Sequence, residues 1–384
     1  MPIKKKDKSK LETFLDYFSN VNDPRIERNK LFLLDEILLI VLCGTICGAE
    51  GWDEFQEFGK QKLRFLKSYL PFKNGIPCHE TFRRVISSLN PDEFKDCFIQ
   101  WVQSFQSTLK EVIAIDGKTL RHTFDTAKDK PAIHMISAFA ASSKIVLGQQ
   151  KTNDKSNEIT AIPELLKLLE IKGNIITIDA MGCQKNIAQQ IVEKEAHYVL
   201  ALKGNQGNLY EDVKSFLENE TKREKKFGDT SLKHFEETSK AHGRIETRKC
   251  WVTEEIDWLY QKKDWAGLKS IAMIESIRTI NGKTSKENRF YISDLPADAK
   301  LVGSTVRSHW GIENSLHWVL DMTYNEDESR IRDKNAAENL AIIRHTSLNM
   351  LQKHKEKCDP KVSIKRLRKK SGWNNEILET ILSR

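Results

Sequence analysis

The sequence predicts an α/β protein: a mixed-sheet core carrying a β-rich insertion, preceded by an all-α N-terminal region. Three observations carry this reading. Up to about residue 108, apolar residues recur at helical spacing. From 110 to 207, short apolar runs alternate with helical stripes, the pattern of a sheet interleaved with helices. From 208 to 296 that rhythm breaks into β-type pieces, and helical patterning then returns.

Leu11, Phe14, Leu15 and Phe18 form the first helical stripe, and Asp23-Pro24 breaks it. The stretch 31–49 is the most apolar of the chain. Asp35 and Glu36 leave it shorter than the roughly 20 residues a bilayer requires, so it reads as a buried helix. Trp52, Phe55, Phe58, Leu63 and Leu66 form another stripe, and Asn74-Gly75 marks a turn. A short helix over 81–89 carries Arg83 and Arg84. Asn90 as cap and Pro91 at the first position then open a helix bearing Phe94, Phe98, Trp101 and Phe105.

The period changes at Lys110. Strands are expected over 112–115, 133–139 and 144–149, the last two joined by Ala140-Ala141-Ser142-Ser143. A helix over 161–169, a strand over 175–178, a helix over 184–195 and a strand over 198–202 follow, closed by Lys203-Gly204-Asn205-Gln206. The insertion opens with a charged helix, in which 222–226 reads as a solvated face. It continues with β-type runs at 245–252, 270–280 and 288–293, the last two linked by Asn281-Gly282 as a hairpin. Helical patterning from 297 carries Glu313, and 351–384 forms a basic helical tail. The segments are therefore 1–108, 109–207, 208–296, 297–350 and 351–384.

Composition excludes some classes. Hydrophobic residues make up 39% of the 384 and charged ones 30%, which gives a real core and a polar surface. A formal net charge of +8 suits a polyanionic partner without requiring one. The seven cysteines are odd in number and contain no Cys-x-x-Cys pair, which argues against a disulfide framework or zinc knuckle and for a reducing compartment. The basic start, Met-Pro-Ile-Lys-Lys-Lys, leads into no apolar secretory core. The expected location is a bacterial-type cytoplasm, near the nucleoid.

Three separated acids carry the chemistry. Asp116 closes the run Glu-Val-Ile-Ala-Ile-Asp, Asp179 closes Asn-Ile-Ile-Thr-Ile-Asp, and Glu313 lies within Ser-His-Trp-Gly-Ile-Glu-Asn-Ser-Leu-His-Trp. A carboxylate at the end of a buried strand is costly unless its charge is compensated. Two such strand ends and a helix-borne Glu can meet around divalent cations. All-oxygen donors suit Mg²⁺, and paired metals are a recurring device for breaking and rejoining phosphodiesters. The residues alone leave open that these are ordinary strand-end and surface acids. They also leave open a zinc ladder of His309, Glu313 and His317 on one helix face.

The cationic candidates surround these acids. Lys118 and Arg121 follow the first Asp, and Lys203 and Asn205 sit at a strand end. His242, Gly243 and Arg244 precede an insertion strand, and Arg307 and His309 precede Glu313 on its helix. Arg83 and Arg84 are the candidates for reading a DNA end, and Lys365, Arg366 and Arg368 for salt-sensitive phosphate binding. Each of these also has an ordinary reading as a surface cation, a turn or a packed ring.

At this point the chain resembles a DDE transposase of a bacterial insertion sequence, and more narrowly the H-repeat-associated group. The resemblance covers almost the whole chain. It rests on Asp23-Pro24-Arg25, Gly48-Ala49-Glu50-Gly51-Trp52, Asn74-Gly75-Ile76-Pro77 with His79 and Thr81, Ala114-Ile115-Asp116-Gly117-Lys118, and Asp179-Ala180-Met181-Gly182. Leu202-Lys203-Gly204-Asn205-Gln206, His309-Trp310-Gly311-Ile312-Glu313 and Asn339-Leu340-Ala341-Ile342-Ile343-Arg344-His345 complete it. It implies an RNase H-like core and a metal-binding triad of Asp116, Asp179 and Glu313 using Mg²⁺ or Mn²⁺. It also implies double-stranded DNA as partner, as terminal inverted repeats and as target, and a homodimer on paired ends. The wider superfamily often sets a Tyr, an Arg and a Lys around the Glu. Here Val306, His309 and Leu320 stand at those positions, so that part of the pattern is degraded. A nuclease on the same fold and a non-catalytic DNA-binding remnant are the alternative readings.

Overall fold

The computed structural model describes residues 12–106, 110–124, 131–152, 158–228, 230–241, 243–333 and 335–383. The described residues before the sheet carry the helices α1 (Glu12–Phe18), α2 (Leu34–Cys47), α3 (Trp52–Leu66), α4 (His79–Ser88) and α5 (Pro91–Gln103). Helix α2 is apolar on nearly every side and buried along almost its full length, the behaviour of a helix surrounded by other elements. The Asn90 side chain accepts a hydrogen bond from Asp92 N at 3.0 Å, and Pro91 occupies the first turn, which fixes where α5 begins. Phe105 falls just beyond the end of α5, where its ring packs edge-on against Trp101.

Among the described residues, nine strands form one mixed sheet in the order β3-β2-β1-β4-β5-β9-β8-β7-β6. They are β1 (Val112–Leu120), β2 (Ile133–Ala140), β3 (Ile145–Lys151), β4 (Ile175–Ile178), β5 (His197–Leu202), β6 (Lys233–Ala241), β7 (Arg244–Thr253), β8 (Ser270–Ile280) and β9 (Lys283–Ser293). Strands β1, β4 and β5 run parallel, and the remaining pairs are antiparallel. The strands of the 208–296 segment extend the same sheet, because β9 pairs with β5 from Val199↔Ser293 to Leu202↔Phe290.

Three strand expectations need correction. Strand β1 does not stop at Asp116 but runs on to Leu120, because β2 supplies antiparallel partners beyond the apolar run. Strand β9 begins at Lys283 rather than 288, since the Asn281-Gly282 turn, with both residues at positive φ, starts the ladder at once. Strand β6 was not anticipated. Its sequence, Lys-His-Phe-Glu-Glu-Thr-Ser-Lys-Ala, is polar because it is an edge strand, where charge guards an exposed ladder.

Helices cover the sheet: α6 (Glu158–Leu168), α7 (Lys185–Glu193), α8 (Asn208–Phe227) and α9 (Ala299–Ile312). Helix α9 continues through a π-helical turn, Glu313–His317, into α10 (Trp318–Tyr324). The long α11 (Ala336–Cys358) packs against α2, α4, α5 and β3, while α12 (Ile364–Trp373) and α13 (Asn375–Leu382) dock on α2. The tail is thus joined to the N-terminal helices. No helix among the described residues is long and apolar enough to cross a membrane.

Candidate active site

The parallel ladder between β1 and β4 ends at Ile115↔Ile178. The next residue of each strand is an acid, Asp116 on one and Asp179 on the other. Strand β1 outlasts its β4 partner, so Asp116 stands at the mouth of a gap while β2 still holds its other edge. The carboxyl ends of neighbouring parallel strands are where open α/β sheets place their ligands. Asp179 turns back on its own loop: its Oδ1 accepts from Met181 N at 2.9 Å and from Gly182 N at 3.4 Å. A side chain on Gly182 would overlap Ile178 and Ile162, which explains the glycine in Asp-Ala-Met-Gly.

Helix α9 packs on β1 and β4, and Glu313 opens the π-helical turn at its end. Such turns are single-residue dislocations of the helical ladder and often lie at functional sites. Asp116, Asp179 and Glu313 line one open cleft of about 390 Å³, together with Lys203, Arg289 and His309. All three carboxyls are pushed up. Burial holds Asp116 at about 7, with Asp179, Glu158 and Glu313 adding repulsion against the pull of the Gly117 backbone. Asp179 is raised by burial and then by Glu158, and Glu313 by burial against the opposing charge of Arg289.

This donor set fits a hard divalent cation: the groups are carboxyl oxygens, their charges repel, and they open onto one cleft. Among the described residues no three His, Cys, Asp or Glu side chains stand close enough to enclose a metal ion as they are. The zinc ladder is not formed. His309 Nδ1 lies 3.0 Å from Thr177 Oγ1 on β4, whereas His317 Nδ1 lies 3.7 Å from Asp116 Oδ2. Burial pushes both rings down to about 4, so each is neutral at physiological pH.

Buried His345 is also held near 4, first by burial. A folded-state pKa below the unfolded value contributes stability above about 6.5 that is lost as pH falls toward 4. Each of the three rings is therefore expected to cost on the order of 1–2 kcal/mol at pH 5. Melting curves between pH 8 and 4.5 should show a steep acid limb below 6.5. A flat profile would show that these rings protonate freely in the native state.

The cationic candidates divide by location. Lys203 is exposed at the cleft, and Asn205 ties its loop to the Asp179 turn through Ala180 O at 2.8 Å. Arg244 and Arg307 line a neighbouring hollow of about 310 Å³ with Trp310 and Asn314, although Arg307 also pairs with Glu237 at 3.0 Å. Arg84 is exposed on α4, while Arg83 is held by Glu80 and by Asp333 at 3.1 Å. Arg121 is exposed and stands 3.3 Å from Asp327. Lys365 and Arg366 lie exposed on α12. His242 lies outside the described residues.

Two of the candidates are engaged inside the protein rather than offered to solvent. Lys118 is clamped by Asp321, Glu326 and Asp327 at 2.7, 3.1 and 2.9 Å. Arg368 turns inward from the basic tail: it is buried, donates to Thr45 O at 2.8 Å and to Thr323 O, and lies 4.0 Å from the Tyr324 ring centre. Arg368→Ala should therefore cost on the order of 2–4 kcal/mol by leaving buried carbonyls unpaired. The salt dependence of DNA binding should keep its slope. A reduced slope at unchanged melting temperature would restore Arg368 as a phosphate contact.

Two residues near the strand-end acids gave little sequence signal: Arg289, which lines the cleft, and Glu158, which lies against Gly117. Arg289 lies 4.6 Å from the Trp310 ring centre and pairs with Glu287 at 2.8 Å. In sequence it is one cation at the end of a polar run, just before Phe290, Tyr291 and Ile292. Glu158 gave no signal beyond an acid near a helix start.

The fold and site together define a mixed-sheet α/β protein whose chemistry lies in an acidic cleft at the end of two parallel strands. The family described as "Transposase DDE domain" matches residues 107–350, and "DDE_Tnp_1-associated" matches residues 15–102. The "H repeat-associated putative transposase YhhI" of Escherichia coli (strain K12) is 42% identical, covering 97% of this chain and 98% of its own. The "Putative transposase YncI" of Escherichia coli O157:H7 is 44% identical, covering 97% and 95%. Among solved structures, a cryo-EM piggyBac transposase synaptic complex with hairpin DNA aligns over 96% of this chain and 81% of that one. Its 11% identity and TM-score of 0.38 make a likeness too loose to define the fold. The chain belongs to the DDE transposase family, and within it is similar to the H-repeat-associated proteins.

Proposed function

We propose that this transposase binds the terminal inverted repeats of its insertion element, cleaves DNA at the ends and joins the freed 3′-hydroxyls to target DNA. The observation that carries the reading is the meeting of Asp116, Asp179 and Glu313 on one cleft. In this reading the three carboxylates hold Mg²⁺, or Mn²⁺ in its place. Bound there, the cation supplies Lewis-acid polarisation of the scissile phosphate and a more acidic attacking hydroxyl. Asp116, whose carboxyl feels the charges of both Asp179 and Glu313, would share in holding the cation. Lys203 and Arg289 face the same cleft with cationic groups suited to the phosphates flanking the cut. His309, neutral and anchored on Thr177, orients by hydrogen bonding rather than by charge. The same groups serve cleavage and joining, because only the nucleophile changes from water to a 3′-hydroxyl.

The exposed Arg84, Lys365, Arg366, Arg244 and Arg307 supply DNA contacts away from the cut, and a homodimer holds the paired ends. The core is read as RNase H-like, with 1–108 and 351–384 as the flanking helical parts. The test uses labelled DNA from the element's ends and a supercoiled target, with Mg²⁺ or Mn²⁺. End cleavage with joined products is the expected result. Cleavage that never proceeds to joining would make the protein a nuclease, and binding without chemistry in either metal would make it a non-catalytic DNA-binding protein.

A further inference from the structure

We propose that Glu158 is a fourth carboxylate of the cation site, brought through the gap at Gly117 and held there by His134. This rests on the reading of Asp116, Asp179 and Glu313 given above. Alternate residues of a strand face opposite sides of the sheet. On β1, Asp116 and Lys118 face α9 and α10, where His317 and Asp321 meet them. Gly117 and Thr119 face the other side. There His134, paired with Thr119 across β1 and β2, sets its Nδ1 2.9 Å from Thr119 Oγ1. Its Nε2 lies 2.8 Å from Glu158 Oε1, at the start of α6.

Both ring nitrogens of His134 are thus engaged, and the ring is pinned between a β1 hydroxyl and the Glu158 carboxylate. A carboxylate oriented by an imidazole that is itself oriented is a recurring support around metal sites.

Gly117 is the second observation. A Cβ at this position would overlap both Glu158 Oε1 and His134 Nε2. The carboxylate therefore lies against bare backbone, one residue from Asp116 and beyond the point where β4 stops pairing with β1. A surface Glu–His pair would need no such opening. The glycine of Ala-Ile-Asp-Gly-Lys admits the fourth acid to the strand end from the face opposite Glu313. The charge of Glu158 reaches both strand-end acids, and it is the foremost neighbouring charge raising Asp179.

The test compares the full chain with Glu158→Gln and Asp116→Asn, using Mn²⁺ alone as probe. Mn²⁺ affinity is followed by electron paramagnetic resonance, and metal-free melting is recorded at pH 8. Glutamine keeps the volume and the hydrogen bond from His134 while removing the charge. The expected result is Mn²⁺ binding that Asp116→Asn abolishes and Glu158→Gln weakens about 10-fold or more, with metal-free melting unchanged or raised. Should Glu158→Gln fail to fold, Glu158→Asp keeps the charge one methylene short and is expected to weaken Mn²⁺ as well.

Unchanged Mn²⁺ affinity with lowered metal-free melting would make Glu158 a structural partner of His134 and overturn this proposal alone. Mn²⁺ binding that is absent from the parent, or indifferent to Asp116→Asn, would overturn it together with the reading on which it rests.

Discussion

Replacing Asp116 with asparagine is expected to abolish end cleavage and joining while making the metal-free protein more stable at pH 8. The two effects share one cause. Asp116 stands at the mouth of the strand gap with Asp179, Glu158 and Glu313 close enough for their charges to act on it, and burial first and these neighbours next hold its carboxyl near 7. Its ionised form is disfavoured in the fold. The penalty is absent below about 3.8, grows as pH rises, and is complete just above 7. At pH 8 it amounts to on the order of 2–4 kcal/mol, allowing for the 20% exposure of the side chain. Asparagine removes it, so the melting temperature should rise by roughly 5 °C or more in chelator. A bound cation removes it as well, so Mg²⁺ should raise the melting temperature of the parent and leave the variant unmoved. Protonation of Asp116 also opposes the acid limb set by His309, His317 and His345, so the variant should lose stability more steeply below pH 6.5. A variant that melts lower than the parent in chelator would show that the Asp116 charge is already compensated without metal.

Lys118→Met is expected to cost on the order of 3–5 kcal/mol, the range for removing one partner of a buried charge pair. Lys118 is the cation shared by Asp321, Glu326 and Asp327, and Glu326 is only 2% exposed. Burial alone would raise Glu326, yet Lys118 and Arg344 more than offset it and hold its carboxyl below the usual range. A depressed carboxylate contributes stability above about 4.5 that is lost as pH falls. The deficit of the variant should therefore be largest at neutral pH and narrow in acid. Adding Glu326→Gln should recover part of it, a coupling that a double-mutant cycle in urea would read directly. Normal stability with weakened DNA binding would return Lys118 to the phosphate-contacting role that its place in the sequence first gave it.

These two neighbours on one strand show where sequence reading ends. Asp116 was legible because a carboxylate closing an apolar run is chemically conspicuous, and the same holds for Asp179. Asn90-Pro91 marked the start of α5 through local capping chemistry, and 175–178 was legible as a strand because its apolar run is short and bounded. Lys118 and Arg368 look like any surface cation in sequence. Their burial is decided by Glu326 and Thr45, more than 200 and 300 positions away along the chain. Strand β6 and the far half of β1 have no apolar pattern of their own and exist because a partner strand supplies their ladder. The π-helical turn at Glu313 is indistinguishable from ordinary helix in sequence, since the spacing of its apolar residues is helical. Glu158 was hidden because its significance depends on the missing side chain of Gly117, on a different strand.

The most direct measurement is a crystal structure of the full chain grown with Mn²⁺, with anomalous data collected at the manganese edge. The expected result is an anomalous peak bounded by Asp116, Asp179 and Glu313, absent from Asp116→Asn crystals grown under the same conditions. A well-ordered cleft without a peak, or a peak on His309 and His317 in place of the carboxylates, would contradict it.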